Sequence, residues 1–144
     1  MRAFFVLLLS ALFLTACGGT ETNSTQPAKS ASIVCTVAYR PDVSQPIERE
    51  ETLTFGDADA EKSVAFDDMV FHAAYSAGEL DNERALRLWV TGSEETAVYQ
   101  TQLYQLPIDS GPQNQFIGGH GFTGLSYSYH PASSAEMQFW CTAE

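Results

Sequence analysis

From Ile33 onward, apolar and polar side chains alternate along the chain with a period of two residues. The alternation is clearest in the segments 33–39, 69–75, 86–90, 125–129 and 137–141. Because successive side chains of a β-strand point to opposite faces, this period predicts strands with one buried and one exposed face. In the fourth segment we expect Leu125, Tyr127 and Tyr129 to form the core-facing set.

Turn-forming residues separate these segments, and no stretch between them has the length and period of a convincing helix. A run of about eight or nine short strands without a helix predicts an all-β fold, an antiparallel sandwich or a small barrel. Residues 33–144 have the size of a single domain. Within 96–106 the pattern changes phase, so that Val98 and Leu103 fall on opposite faces, which predicts a β-bulge.

The first 17 residues have the composition of an export signal. Arg2 gives a positive start, residues 3–14 carry no charge, and small residues follow. This order is typical of a secretory signal peptide. The apolar run is shorter than the about 20 residues that a membrane-spanning helix needs. We therefore expect export of the chain.

The motif Leu14-Thr15-Ala16-Cys17 resembles the lipobox of bacterial lipoproteins. The resemblance implies that residues 1–16 are removed, that the Cys17 thiol carries a diacylglycerol and that the new amino end is acylated. Two or more acyl chains hold a protein firmly at a membrane. Gly18 stands where enteric lipoproteins retained in the inner membrane have Asp, which favours the outer membrane if the organism has one. An ordinary signal peptide cut near Cys17 is the alternative.

Residues 17–32 follow as a polar stretch rich in Gly, Ser and Thr, which predicts a flexible spacer between anchor and domain. With Cys17 lipidated, Cys35 and Cys141 remain, both in the core-facing phase of their segments. Exported thiols pair and stay paired, so we predict a structural disulfide between the first and last strands. A metal site built from these two distant cysteines is the alternative.

The chain is strongly acidic, with 18 Asp and Glu, 7 Lys and Arg and a formal net charge of −11. Such a surface repels nucleic acid, since phosphate binding needs Lys and Arg to displace counterions. An acidic field instead favours the encounter with a cationic protein. The alternative is that the charge only keeps the protein soluble.

Two local motifs suggest cofactors on first inspection. The segment 119–124 has the G-x-G-x-x-G spacing of a dinucleotide-binding loop, but a strand pattern follows it where that loop requires a helix. We expect these glycines to adopt positive φ in a turn or bulge. The acidic segment 57–61, with Asp68 further on, resembles a calcium loop, yet Lys62 occupies the position that needs Gly. Residues 79–83 form a second acidic loop. We expect solvated turns at both, and a looser calcium site is the alternative.

The three histidines, His72, His120 and His130, have none of the spacings that signal a zinc site. The chain also lacks the local motifs of the common serine hydrolases. We therefore expect no metal, no cofactor and no catalytic residue, although scattered Ser, His and Asp side chains leave a hydrolase as an open alternative.

Arg87, Trp89 and Trp140 form the candidate binding face, because all three lie in the polar phase of their strands. Outward tryptophans with polar neighbours are typical of surfaces that bind a polysaccharide or a protein. The alternative is that both faces of these strands are covered and each tryptophan is simply packed.

Taken together, the sequence predicts a lipid-anchored envelope protein with a non-catalytic binding domain. Small, acidic, disulfide-linked β lipoproteins that inhibit lysozymes are similar in architecture and charge, which implies inhibition of a basic lysozyme-like enzyme as an alternative. A small periplasmic hydrolase is the alternative from the enzyme class.

Overall fold

The computed structural model describes residues 32–56, 60–76, 84–106, 113–115 and 118–144. Their eight strands are β1 Ile33–Arg40, β2 Arg49–Phe55, β3 Ala60–Ala65, β4 Met69–Ser76, β5 Ala85–Gly92, β6 Val98–Gln105, β7 Ser126–Tyr129 and β8 Glu136–Ala143. They form two antiparallel four-stranded sheets with the orders β2-β1-β8-β7 and β3-β4-β5-β6. The predicted all-β sandwich is confirmed. No helix in these ranges is long and apolar enough to cross a membrane.

The two sheets pack face to face, with their strands in matching order. Phe71 of β4 contacts Phe139 of β8, with ring centroids 5.1 Å apart. Near one edge of the sandwich, Gln102 of β6 donates a 2.9 Å hydrogen bond to Ser126 of β7. The largest fully buried side chains come from both sheets: Ile33, Val37, Phe55, Met69, Phe71, Leu86, Leu88, Val90, Met137 and Phe139. The alternating apolar positions of the sequence therefore build one core between the sheets.

A disulfide joins Cys35 and Cys141, which face each other in the register of β1 and β8. Their Cα atoms are 4.0 Å apart, and both residues are completely buried. Three residues farther along, Ser32 and Glu144 exchange a pair of backbone hydrogen bonds that extends the same ladder. The predicted bond between the first and last strands is confirmed.

The phase change in β6 is a β-bulge, as predicted. Val90 of β5 lies opposite Gln100, whereas the next residue, Thr91, lies opposite Val98, so Tyr99 is the extra residue. The bulge shifts the alternation by one position. As a result Val98 and Leu103 are both strongly exposed, although the sequence separates them by an odd number of residues.

The predicted orientation of β7 is wrong. Tyr127 and Tyr129 point to solvent, while Ser128 is buried in the interior. The inner side of this edge strand lies against β6, where Ser126 pairs with the side chain of Gln102. A small hydroxyl fits this partly polar interior, whereas a tyrosine ring there would displace the Gln102 contact. Hydrogen bonding across the two edge strands therefore decides which face of β7 is buried.

Asp68, in the turn between β3 and β4, connects the two sheets at one end. Its carboxylate accepts a 2.8 Å hydrogen bond from the Tyr39 hydroxyl and another of 2.8 Å from the Ser133 hydroxyl. Burial, together with this carboxylate, raises the pKa of Tyr39 well above its usual range. The phenol therefore stays protonated and keeps donating at any physiological pH.

Candidate functional site

The structure places the predicted site residues on two different surfaces. In β5, Leu88 and Val90 are buried, so Arg87 and Trp89 point outward from the β3-β4-β5-β6 sheet. In β8, Phe139 and its alternate neighbours are buried, so Trp140 points outward from the other sheet. Because the sheets pack face to face, Trp140 lies on the opposite side of the sandwich from the other two residues.

The first surface, which we call the Trp89 face, consists of His72, Arg87, Trp89, Val98 and Leu103. The Trp89 ring stacks on His72 of the neighbouring strand, with centroids 4.8 Å apart and planes within 3°. The Arg87 guanidinium carbon lies 4.6 Å from the centroid of the Trp89 ring. A cation held over an indole ring in this way is attracted by the electrons of the ring.

Exposed aliphatic side chains from β6 complete the Trp89 face. Leu103 is 71% exposed and pairs with Arg87 across the β5–β6 ladder. Val98 is 58% exposed and pairs with Thr91. Leu103 continues a cross-strand row that runs from Glu61 in β3 through Ala74 to Arg87. The face therefore combines an aromatic and cationic centre with exposed aliphatic groups.

Beside Trp89, His72 and Thr91 form a buried pair, with His72 Nε2 3.0 Å from Thr91 Oγ1. Burial lowers the pKa of His72, while the charges of Glu95 and Glu61 act in the opposite direction. A neutral histidine that is hydrogen-bonded to a hydroxyl can act as the base that activates this hydroxyl as a nucleophile. Here both residues are buried and the indole of Trp89 covers the imidazole. This arrangement is suited to supporting Trp89 and leaves no room for a substrate at the hydroxyl.

The second surface, which we call the tyrosine face, consists of Arg40, Tyr127, Tyr129, Glu136 and Gln138 on the outside of β1, β7 and β8. Tyr127 and Tyr129 are 44% and 55% exposed. Across the β7–β8 ladder they pair with Gln138 and Glu136 respectively. Sequence reasoning missed these tyrosines because it assigned them to the core.

An ion pair between a buried carboxylate and a partly exposed arginine lies beside the tyrosines. The Glu136 side chain is only 3% exposed, and its Oε1 is 2.8 Å from Arg40 and accepts a 2.7 Å hydrogen bond from Gln138. Burial alone would raise the pKa of Glu136, but the hydrogen bonds from Arg40 and Gln138 and the charge of Arg40 outweigh it and lower the pKa. Burial and the Glu136 carboxylate raise the pKa of Tyr129. The carboxylate is therefore permanently charged at neutral pH and is unsuited to act as a general acid.

Trp140 lies farther along β8 on the side of the tyrosine face. It is half-buried, and the ring of His120 meets it edge to face, with centroids 5.3 Å apart. His120 belongs to the glycine-containing segment that precedes β7. The predicted candidate set of Arg87, Trp89 and Trp140 thus contributes to two surfaces, and its proposed ligand contacts remain a prediction.

The glycines of the G-x-G-x-x-G segment have positive φ, as expected for a turn. Gly119, Gly121 and Gly124 have φ values of 77°, 66° and 69°. At Gly121 a Cβ atom would lie 2.0 Å from the carbonyl oxygen of Cys141, so only glycine allows this close approach to β8. The buried Thr123 hydroxyl then accepts a 2.7 Å hydrogen bond from the Cys141 backbone amide. The segment therefore packs against β8, and β7 follows it where a dinucleotide site needs a helix.

The three histidines have separate surroundings. His72 is bonded to Thr91, His120 contacts Trp140, and His130 Nδ1 accepts backbone hydrogen bonds at the turn before β8. Among the described residues, no group of three or more His, Cys, Asp or Glu is placed to hold a metal ion. The acidic positions 57–59 and 79–83, like the predicted lipidation site Cys17, lie outside the described residues.

In comparisons with protein-family models, curated proteins and solved structures, nothing matches this chain. The functional interpretation therefore depends on the chemistry of the two surfaces.

Proposed function

We propose that the chain is a lipid-anchored envelope protein whose β domain binds a protein partner without catalysis, through the Trp89 face. The anchor follows from the export signal and from Cys17 in its lipobox-like motif. The main support for a binding site here is the exposed side chain of Leu103. It is 71% exposed and lies directly beside the stacked pair of Arg87 and Trp89. Exposed apolar groups gathered on one face typically mark a contact surface.

The residue types of the Trp89 face favour a protein as the ligand. Tryptophan and arginine are the side chains most often responsible for binding energy at protein interfaces. The Trp89 ring already stacks on His72 of the neighbouring strand, so little side-chain freedom is lost when a partner binds. Exposed aliphatic groups such as Leu103 need an apolar counterpart, which a protein surface supplies.

The charge around this face indicates the charge that we expect on the partner. Glu61 shares a cross-strand row with Arg87, and Glu95 is close enough to influence the titration of His72. With a net charge of −11 the chain as a whole attracts cations. We therefore expect a partner with an apolar patch and basic side chains around it, and an association that weakens as salt is added.

The test is chemical cross-linking of the lipidated protein in intact envelopes, followed by capture and mass spectrometry. Leu103→Thr removes the exposed apolar group and keeps a good strand-forming residue, so folding should be unaffected. The matched control is Val43→Thr, which alters a 46% exposed apolar side chain in the turn between β1 and β2. Partners that are lost in Leu103→Thr and kept in Val43→Thr support the proposal. A partner set that Leu103→Thr leaves unchanged contradicts it.

The anchor has its own measurement. Mass spectrometry of the native protein should find Cys17 at the amino end and carrying acyl chains, and Cys17→Ser should release the protein from the membrane fraction. An unmodified residue 17, or its absence from the mature chain, contradicts the lipid anchor and leaves the binding proposal to be judged by the cross-linking experiment.

The acidic charge favours a second candidate, inhibition of a basic lysozyme-like enzyme. Titration of a cationic lysozyme should then give salt-sensitive inhibition at equimolar amounts. Absence of inhibition at low salt excludes this candidate. The hydrolase alternative predicts turnover of esters, glycans or peptides that is lost when one Ser, Asp or Glu is replaced.

A further inference from the structure

We propose that the tyrosine face is a second binding site, which takes the ring face of a neutral pyranose oligosaccharide. The tyrosines of β7 are exposed, whereas Ser128 is buried and Ser126 is partly buried, the reverse of the usual pattern of a sheet. Positions at which the structure departs from the orientation predicted by the sequence are often functional. Here the exception places Tyr127 and Tyr129 side by side on an open face.

The geometry of the two rings suits an extended ligand. Residues two apart in a strand point to the same side, about 7 Å from each other along the strand. The face of an aromatic ring is electron-rich and attracts the slightly positive C–H groups of a pyranose. Tyr127 and Tyr129 therefore offer stacking positions to neighbouring sugar units, and Trp140 adds a half-buried ring on the adjacent strand.

Fixed polar groups next to the rings supply the hydrogen bonds that sugar hydroxyls need. Glu136 is buried and holds both Arg40 and Gln138, which therefore remain in place before a ligand arrives. Arg40 is further held by a 3.1 Å hydrogen bond to the Gln45 carbonyl oxygen. A guanidinium and an amide beside tyrosine hydroxyls provide donors and acceptors in fixed directions, which lowers the entropy lost on binding.

The charges on and around the tyrosine face favour a neutral ligand. The positive charge of Arg40 is cancelled by Glu136 at 2.8 Å, so the ion pair adds no net attraction for an ion. The net charge of −11 repels anionic polymers from the molecule as a whole. The tyrosine face thus differs from the Trp89 face, whose apolar groups include aliphatic side chains and whose arginine contacts an aromatic ring.

The test is isothermal titration of the full-length protein in detergent with cellohexaose, maltohexaose, hexa-N-acetylchitohexaose and an anionic hexagalacturonate. We expect binding of at least one neutral hexamer and none of the anionic one. Tyr127→Thr and Tyr129→Thr should each weaken binding about tenfold, the effect of losing about 1.4 kcal/mol. Leu103→Thr, the matched change on the opposite face, should bind as the wild type does.

A second measurement does not depend on the folding of a variant. In the wild-type protein, a bound hexamer should shield Tyr127 from nitration by tetranitromethane, whereas an exposed tyrosine without ligand reacts. Mass spectrometry assigns the modified residues, and the buried Tyr39 and Tyr75 serve as internal controls. Failure to bind any neutral hexamer, binding that both tyrosine variants retain, preference for the anionic hexamer, or unchanged nitration would each overturn the proposal.

The protein-binding proposal and the oligosaccharide-binding proposal can be refuted independently, because each variant should lose one ligand and keep the other. Leu103→Thr should lose the cross-linked protein partner and keep the oligosaccharide, and the tyrosine variants should do the reverse. Loss of both ligands in a single-face variant that retains its melting temperature contradicts the assignment of two independent sites.

Discussion

The disulfide of Cys35 and Cys141 should contribute a large share of the stability of the domain. The two cysteines are 106 residues apart in sequence and adjacent in the β1–β8 ladder. In the chain-entropy description, a cross-link that closes a loop of about 100 residues stabilises the folded state by about 4.7 kcal/mol. Replacing both cysteines by Ala also removes two buried sulfur atoms, each comparable to a methylene group worth about 0.8 kcal/mol. The expected loss is therefore about 6 kcal/mol.

Urea unfolding of the wild type and of Cys35→Ala/Cys141→Ala measures this loss. Both proteins are titrated with sucrose present, which stabilises the folded state and keeps the variant measurable. The dependence of the unfolding free energy on urea should become steeper in the variant, because an unlinked unfolded chain exposes more surface. Wild-type protein reduced under denaturing conditions keeps its sulfur atoms and should show the smaller loss of about 4.7 kcal/mol. A loss below about 2 kcal/mol with an unchanged slope would refute the reasoning.

Three further predictions follow from single positions. Gly121→Ala should destabilise the protein by about 3 kcal/mol or more, because its Cβ atom would meet a backbone carbonyl of β8. Gly119→Ala has a similar φ and open space around it, so it should cost only about 1–2 kcal/mol; equal losses in thermal unfolding would contradict the steric explanation. Phe139→Ala should cost about 3–5 kcal/mol in urea unfolding, and a loss under about 1 kcal/mol would mean that the core is not packed between the sheets. Glu136→Gln breaks the pair with the partly exposed Arg40 and should cost about 2 kcal/mol at neutral pH. Because the folded-state pKa of Glu136 is lowered, its stabilisation is complete above the ordinary carboxyl pKa of about 4.3 and is lost as the pH falls through the folded value. The difference between wild type and variant should therefore shrink in acid, and a difference independent of pH would contradict the ion pair.

Much of the architecture could be predicted from local sequence. The period of two placed the strands, and the phase of Cys35 and Cys141 predicted their bond, because a strand fixes the direction of each side chain from its neighbours. The phase change in β6 likewise revealed a bulge before any partner strand was known. Positive φ at the glycines before β7 followed from the absence of a helical pattern after them. Each of these features depends on residues close together in sequence.

The candidate surfaces could not be predicted in the same way. Alternation divides the side chains of a strand into two sets, one for each face of the sheet. The apolar set faces the core only when the sheet packed against that strand is itself apolar. At β7 the opposing layer contains Gln102, so Ser126 turns inward and Tyr127 turns outward. The ion pair of Arg40 and Glu136 joins the end of β1 to the beginning of β8, a contact that sequence distance conceals.

The sequence by itself determined the strand pattern and the pairing of Cys35 with Cys141, because these depend on composition and on a local period. Only the tertiary structure decided that Arg87 and Trp89 lie on one side of the sandwich and Trp140 on the other. Two strands can have the same amphipathic pattern and still belong to different sheets. Which direction is outward is set by the layer that each strand packs against.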